Sequence, residues 1–449
     1  MNRTVALGGW RRSLFLFASL LVASTLTFLS STALGQGEGV RVLTLEEALK
    51  IASERNLDIQ KAREYRNLVE GRYVEERAAA LPQLTITANG VNSNDESQEA
   101  LGSRVPSKRN TRAAELGLSQ ALFTWGQVSA GIRAAKVGLA TADDQLRIFR
   151  QAAFRDVSAS FYDILLAKEI DKIATQNLEQ KTRHHDEASK KYSAGVATDY
   201  DVLVSKVDID NARPGVIRAE NQIRIARERL RFLLASEGQD VDASGSLEPV
   251  VLPHPKFEEA LEAAFKNRPE LTDIRHRVQI AEELVTIAKA GDKPRLDLKA
   301  GGGWRDLDMG SGLQASGGAW SVGLFLTFPI FDGLRTKGRV SQARSTVSTF
   351  KIEEAKLLDS IRFEVRDACN AVTESGEIIK ALSGTVVQAE RLLTMAEKGY
   401  EYGVKTRLDV DDAQLNLTQA RGNLARAKRD YLVALVNLDY VMGRLDQKK

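Results

Sequence analysis

The chain carries its own sequence twice, and this duplication constrains its fold more than any other feature. Leu45-Glu46-Glu47-Ala48-Leu49 returns 212 positions later as Phe257-Glu258-Glu259-Ala260-Leu261, and Pro82-Gln83-Leu84 returns at the same offset as Pro294-Arg295-Leu296. Farther along the offset is 208: Tyr192, Gly195, Thr198, Asp201 and Val202 return as Tyr400, Gly403, Thr406, Asp409 and Val410. The register changes between Gly90 and Phe123, which implies a shorter hairpin loop in the second copy. Solenoid modules repeat every 20–50 residues or so, whereas a period this long duplicates a whole fold unit. Residues 36–248 and 249–449 are the expected repeats. Each holds helices, a β-hairpin (about 83–123 and 295–331) and a helical hairpin with its tip near 193–198 or 402–406.

Long helical stretches dominate each copy. Residues 125–192 and 333–402 contain no proline, and at about 1.5 Å per residue each helix is on the order of 100 Å long. Such helices need a coiled-coil partner, and one follows each. Val410, Ala413, Leu417, Ala420, Leu424, Ala427, Tyr431, Ala434, Leu438 and Val441 alternate steps of three and four, which is a heptad seam. The seam recurs 208 residues earlier as Val202, Ser205, Ile209, Ala212, Val216, Ala219, Ile223, Ala226, Leu230 and Leu233. Pro214-Gly215 interrupts this copy in phase and predicts a kink. Shorter helices are expected over 45–55, 58–80, 257–267 and 270–290. A helix of about 23 residues stacked on a heptad helix of about 38 spans about what one helix of about 65 residues spans, so two helices stacked in this way could flank each long one. The stretch 237–255, with Ser244-Gly245-Ser246 and three prolines, reads as the linker between halves.

Four segments alternate with period two instead. Leu84, Ile86 and Ala88 share one face; so do Ala114, Leu116, Leu118 and Leu122, with Gln120 as an exception. Leu296, Leu298, Ala300, Gly302 and Trp304 form a third row. Trp320, Val322, Leu324, Leu326 and Phe328 form a fourth, with Phe325 misplaced on the polar side. One apolar face and one polar or glycine face is the pattern of a wall between lipid and water, at about 9–11 residues per tilted strand. Trp320, Val322, Leu324 and Leu326 are the expected lipid-facing residues. Trp320, Phe328 and Phe331 suit an interfacial aromatic girdle. The polar, glycine-rich stretches 91–111 and 305–318 are the expected exterior loops. Soluble hairpins packed on helices are the alternative that the pattern alone leaves open.

Four strands cannot close a barrel, since the smallest outer-membrane barrels have eight, and open sheet edges are forbidden in lipid. If the hairpins enter a membrane, several chains share one barrel, and three chains give twelve strands. The fold class expected is therefore mainly α with a membrane β-barrel part.

The first 35 residues stand apart. Arg3, Arg11 and Arg12 precede an apolar run over 13–29 and then Ser30-Ser31-Thr32-Ala33-Leu34-Gly35. This is the pattern of a Sec-type signal peptide cleaved near Gly35. An uncleaved anchor, or a twin-arginine signal at Arg11-Arg12, fits the same residues. The lone cysteine, Cys369, excludes a disulfide framework and lies too far from the cleavage site to be lipidated. A net charge of +3 with 27% charged residues gives no reason to expect nucleic acid. A mean hydropathy of −0.26 excludes a multi-span helical membrane protein.

No enzyme constellation is found. His184-His185-Asp186-Glu187 is the one dense ligand-like cluster, but adjacent helix residues point about 100° apart. Gly301-Gly302-Gly303 lacks the Gly-Lys-Ser/Thr of a phosphate loop and sits on a strand, where small residues permit close approach. Neither a metal nor a cofactor is expected.

Together these residues resemble the TolC-type outer membrane factor (outer membrane efflux protein) family over about residues 43–443. The marks are Leu43-Thr44-Leu45-Glu46-Glu47-Ala48-Leu49, Leu81-Pro82 and Lys293-Pro294 before the strands, Phe331-Asp332-Gly333 after the last strand, and the tip motifs beginning at Tyr192 and Tyr400. The resemblance implies a homotrimer with a twelve-stranded barrel in the outer membrane and an α-helical tunnel in the periplasm. It implies docking through a periplasmic adaptor onto an inner-membrane pump, as the exit duct of an efflux or type I secretion system. A periplasmic coiled-coil adaptor or scaffold is the competing function, and it would have no use for lipid-facing strands. Gly126 after Trp125, where the family usually has Asp-Gly-Gly, and Pro214-Gly215 depart from the pattern.

The resemblance also places sites. Gly195, Thr198, Gly403 and Thr406 are the expected adaptor-docking tips. Glycine there permits positive φ at a helix stop, and threonine caps the returning helix. Turn chemistry alone would select the same residues. Carboxylates matching Asp409 and Asp412, three residues apart on the first turn of the returning helix, line the family's constriction. Asp201 is the equivalent of Asp409, while Val204 replaces Asp412 in the first copy. Lys405 matches a basic residue that holds the tips shut, and Lys405–Asp201 is the expected gate link. Acids near a helix N-terminus also favour its dipole without further role.

Overall fold

A computed structural model describes residues 40–94, 108–236, 238–249, 256–308 and 314–446. The expected signal peptide (residues 1–35) and the connections 95–107 and 309–313 lie outside them. The first copy contains β1 (Arg41–Leu43), α1 (Leu45–Arg55), α2 (Leu57–Ala78), β2 (Gln83–Asn94), β3 (Lys108–Phe123), α3 (Gln127–Ser193) and α4 (Asp199–Leu234). After β4 (Val241–Ala243) the second repeats the order with α5 (Phe257–Asn267), α6 (Pro269–Lys289), β5 (Arg295–Asp308), β6 (Gln314–Thr327), α7 (Arg335–Glu401) and α8 (Arg407–Val441).

Local chemistry starts each element. The Leu-Thr-Leu-Glu-Glu motif is a capping box: the Thr44 N–H donates to Glu47 Oε2 at 2.8 Å and Thr44 Oγ1 accepts from the Glu47 N–H at 3.3 Å. Asn56 Oδ1 caps α2 by accepting from the N–H groups of Asp58 and Ile59. Both 67-residue helices, α3 and α7, begin after two consecutive left-handed residues: Trp125 (φ 49°) and Gly126 (φ 85°), then Gly333 (φ 67°) and Leu334 (φ 66°). The copies keep this strand-to-helix geometry and exchange which position holds glycine, so the departure at Gly126 leaves the turn intact.

The long helices organise the rest. α4 packs on α3 and α8 packs on α7 by their heptad seams, and α8 also packs on α3 by a second face. Val410, Ala413, Leu417 and Ala420 bury against Ala389, Leu393 and Ala396 of α7. α4 runs through Pro214-Gly215 as one continuous helix. The short helices stack as expected. Asn56 at the start of α2 donates to the Leu233 carbonyl at the end of α4, at 2.9 Å. Gly443, after α8, packs so tightly on Asn267 and Arg268 before α6 that a Cβ there would lie 2.7 Å from backbone.

The expected linker is partly structural. β4 pairs in parallel with β1, and Val241 and Ala243 are buried in a core with Leu43, Ala48, Phe161, Ile164 and Leu230. Asp242 is anchored by Lys168 Nζ at 2.8 Å and Arg227 Nη2 at 2.9 Å. Burial opposes its charge, but these hydrogen bonds outweigh that and hold its pKa below the ordinary carboxylate value. Three residues are too few to show a period, and the partner strand lies some 200 positions away.

The hairpins join into one antiparallel sheet in the order β2-β3-β5-β6. Its strands have 12, 16, 14 and 14 residues, longer than the span expected. The ladder continues through polar pairs such as Asn92↔Asn110 and Asp306↔Ser316, because backbone pairing needs no apolar side chain. Strand therefore occupies 91–94, 108–111, 305–308 and 314–318 of the expected loops, and their remaining residues lie outside those described.

Candidate channel wall and helical tips

Register fixes the two faces of the sheet. Leu84, Leu118, Ala300 and Val322 align across all four strands, as do Ile86, Leu116, Gly302 and Trp320. Side chains alternate along each strand, so the four rows predicted as apolar form one continuous surface. Trp320 is 83% exposed and Val322, Leu324 and Leu326 are also open. On β5 the row stays apolar from Leu296 to Trp304, about 26 Å of strand at about 3.3 Å per residue. It ends one step on, where Arg112 aligns with Asp306. Below it, Phe328, Ile330 and Phe331 are exposed. Among the described residues no helix is long and apolar enough to cross a membrane.

The opposite face carries Thr85, Thr87, Glu115, Lys299, Arg305 and Ser321 among glycines. Phe325, the exception there, lies against Gly323, with the Lys299 ammonium 5.0 Å from its ring. Gln120, the exception on the apolar face, donates to the Ala80 carbonyl at 3.3 Å. A Cβ on Gly303 would lie 2.2 Å from the Ala114 carbonyl oxygen, so the glycine run serves close approach of β3 and β5. Among the described residues, both outer strands, β2 and β6, have one edge with no strand beside it.

At the other end the two tips have the same construction. Gly195 (φ 74°) and Gly403 (φ 73°) terminate α3 and α7. The Val196 N–H reaches back to the Lys191 carbonyl and the Val404 N–H to the Gly399 carbonyl, which is the Schellman closure that glycine permits. Thr198 and Thr406 then cap α4 and α8. The two equivalent aspartates complete these boxes. Asp201 Oδ2 accepts from the Thr198 N–H and Oγ1 at 2.8 and 2.7 Å, and Asp409 Oδ2 from those of Thr406 at 2.8 Å each. Hydrogen bonds from the threonine backbones, then hydroxyls, lower both carboxylate pKa values.

Within one protomer Lys405 Nζ pairs with Asp409 Oδ1 at 3.3 Å, and Asp201 is engaged by its own cap, so the geometry does not join Lys405 to Asp201 there. Asp412 is exposed one turn beyond Asp409, on the second turn of α8.

An ionic cluster near the tips was not legible in the sequence. Lys181 of α3 meets Asp411 of α8 at 2.6 Å and Asp208 of α4 at 3.8 Å. Arg407 closes the group, with Nε 3.3 Å from Asp411 and Nη2 3.5 Å from Asp208. The latter approach is ionic without a hydrogen bond. These four half-buried residues join the two helical hairpins. His184 lies beside them. Burial first, and then the Arg407 and Lys181 charges, lower its pKa. His185 Nδ1 is 2.9 Å from Ser205 Oγ, so the paired histidines serve helix packing. The cluster escapes sequence reading because its members come from three helices up to 230 positions apart.

The family model described as outer membrane efflux protein matches residues 48–236 and 260–444. Outer membrane protein TolC of Escherichia coli K12 is 25% identical over 408 residues, covering 88% of this chain and 80% of that protein. The cobalt-zinc-cadmium resistance protein CzcC of Cupriavidus metallidurans is 25% identical over 432 residues, covering 96% and 97%. A membrane protein from Pseudomonas aeruginosa has the same fold, with a TM-score of 0.77 at 24% identity over 89% of this chain and 93% of that one.

Proposed function

The chain belongs to the outer membrane efflux protein family, and from that premise we propose that three copies form the outer-membrane exit duct of a tripartite efflux or secretion system. It is a channel of the outer membrane and not an enzyme. The observation that carries the trimer is the sheet itself: four strands, one apolar face and two unpaired edges. Unpaired backbone groups in hydrocarbon cost several kcal/mol each. Pairing β6 of one copy with β2 of the next removes both edges, and three copies give a closed twelve-stranded barrel. Such a head-to-tail contact is heterologous and closes into a ring. Trp320, Val322, Leu324 and Leu326 then face lipid, and Glu115, Lys299 and Arg305 face the pore.

The helices continue the duct into the periplasm, where the tips at Gly195, Thr198, Gly403 and Thr406 meet an adaptor bound to an inner-membrane pump. Asp409, with Asp412 one turn above it, forms rings of three carboxylates that attract cations and restrict anions. Asp201 lies at the same level in the other hairpin, and Lys405 regulates closure through Asp409 or, between copies, through Asp201. Mass measurement of the detergent-extracted protein tests the assembly. A trimer is expected, and a monodisperse, detergent-free monomer would refute it. Cysteine labelling that places Ser321 and Gly323 in lipid, rather than Val322 and Leu324, would overturn the assigned wall.

A further inference from the structure

The duplication supplies a template for the two free flanks of the protomer. Nearer the tips the helices lie in the order α4, α3, α8, α7, with α3 and α8 packed together in the middle. At the 208-residue offset α4 is the repeat of α8, and α7 is the repeat of α3. The packed middle pair therefore displays the geometry in which α4 of one copy can meet α7 of the next.

Three of the contacts between α3 and α8, away from the Lys181–Asp411 pair, serve as the template. The Arg155 guanidinium lies 4.7 Å from the centre of the Tyr440 ring. Arg429 pairs with Asp163 at 2.7 Å. Ile170 Cδ1 lies 3.8 Å from where a Cβ of Gly422 would stand. The equivalents of these pairs are Phe363 with Phe232, Asn221 with Ala371, and Ile378 with Pro214. Phe232 is 77% exposed, Phe363 is 72% exposed, and Ile378 is also open. Pro214, Asn221 and Phe232 share one face of α4 with Leu203, Val207, Ile217 and Ile225, at steps close to whole helical turns. Those four are exposed as well. An apolar stripe this long on the outer face of a packed helix marks a contact surface, and the internal repeat identifies its occupant.

We propose that Phe232 of one copy packs on Phe363 of the next and that Pro214 packs against Ile378, forming an uncharged seam between copies. The ionic pairs of the seam inside each copy have no counterpart there. The proposal rests on the trimer argued above and adds which side chains meet. It also gives Pro214 a place: the residue lies on the face of α4 turned to the neighbouring copy.

Crosslinking tests it in the full-length, detergent-extracted protein with Cys369→Ser as background. Phe232→Cys combined with Phe363→Cys should give covalent dimers and trimers on oxidation. Yield should be the same from about 0.05 to 1 M salt, where screening lengths shrink from over 10 Å to about 3 Å. Phe232→Cys combined with Ile352→Cys, about 16 Å farther along the same helix, should stay uncrosslinked. A trimer by mass that fails to crosslink through 232 and 363, or that crosslinks equally through 352, overturns this seam while leaving the trimer standing. A monomer by mass overturns both. The conservative pair Phe232→Leu with Phe363→Leu should retain the trimer, whereas Phe232→Asp should reduce it at least tenfold.

Discussion

Replacing Lys181 by Met tests how the two helical hairpins of one protomer are joined. The substitution keeps an unbranched apolar stem and removes one charge from a group of two cations and two anions. Lys181 is 15% exposed, and Asp208, Arg407 and Asp411 are 25–27% exposed, so solvent screens them only partly. At 2.6 Å from Asp411 the gross attraction is about 6 kcal/mol at an effective dielectric of about 20. Desolvation cancels most of it, and hydrogen bonds to charged groups retain roughly 1.5–3 kcal/mol. Lys181→Met should therefore loosen the docking of α8 on α3 by about 2 kcal/mol, roughly a 30-fold faster opening. Asp411→Asn should cost a similar amount, because two cations then share Asp208. The double variant leaves Arg407 opposite Asp208, a balanced pair, and should lose about 1 kcal/mol, well below the sum of the single losses. Amide hydrogen exchange along 411–417 in the detergent-extracted protein measures all three. Additive losses, or single variants that exchange like the parent, would refute the argument that charge balance holds this junction.

Three further outcomes are expected. Asp409→Asn with Asp412→Asn preserves a capping side chain at 409 and should reduce cation preference and block by trivalent cations in planar bilayers, whereas Lys405→Ala should raise open probability; unchanged selectivity, block and gating would reject the constriction. His184 has a lowered folded pKa, so the unfolded chain binds the proton more readily; stability of the tip region should fall as pH drops below about 6.5. Asp201 and Asp409 are also lowered, so their capping contribution should persist above about 3.8 and vanish below it; pH-resolved hydrogen exchange separates the two windows, and a flat profile between pH 7 and 5 would contradict the first. Gly303→Val should prevent assembly, because its Cβ would overlap the Ala114 carbonyl oxygen, while Gly90→Val, in open space, should assemble normally on a denaturing-gel trimer assay.

The sequence by itself determined every element that is long and periodic. The heptad seams, the 67-residue helices, the four alternating rows and the glycine-threonine tips all follow from local rules repeated over many residues, and duplication checks each of them twice. Strand ends escape the apolar pattern where pairing outlasts it, as at Asn92↔Asn110. Tertiary structure alone decided what depends on distant partners. It buried Val241 and Ala243 against β1. It assembled Lys181, Asp208, Arg407 and Asp411 from three helices. Such contacts leave no local period, because a side chain's charge partner is set by how helices cross and not by what stands beside it in the chain.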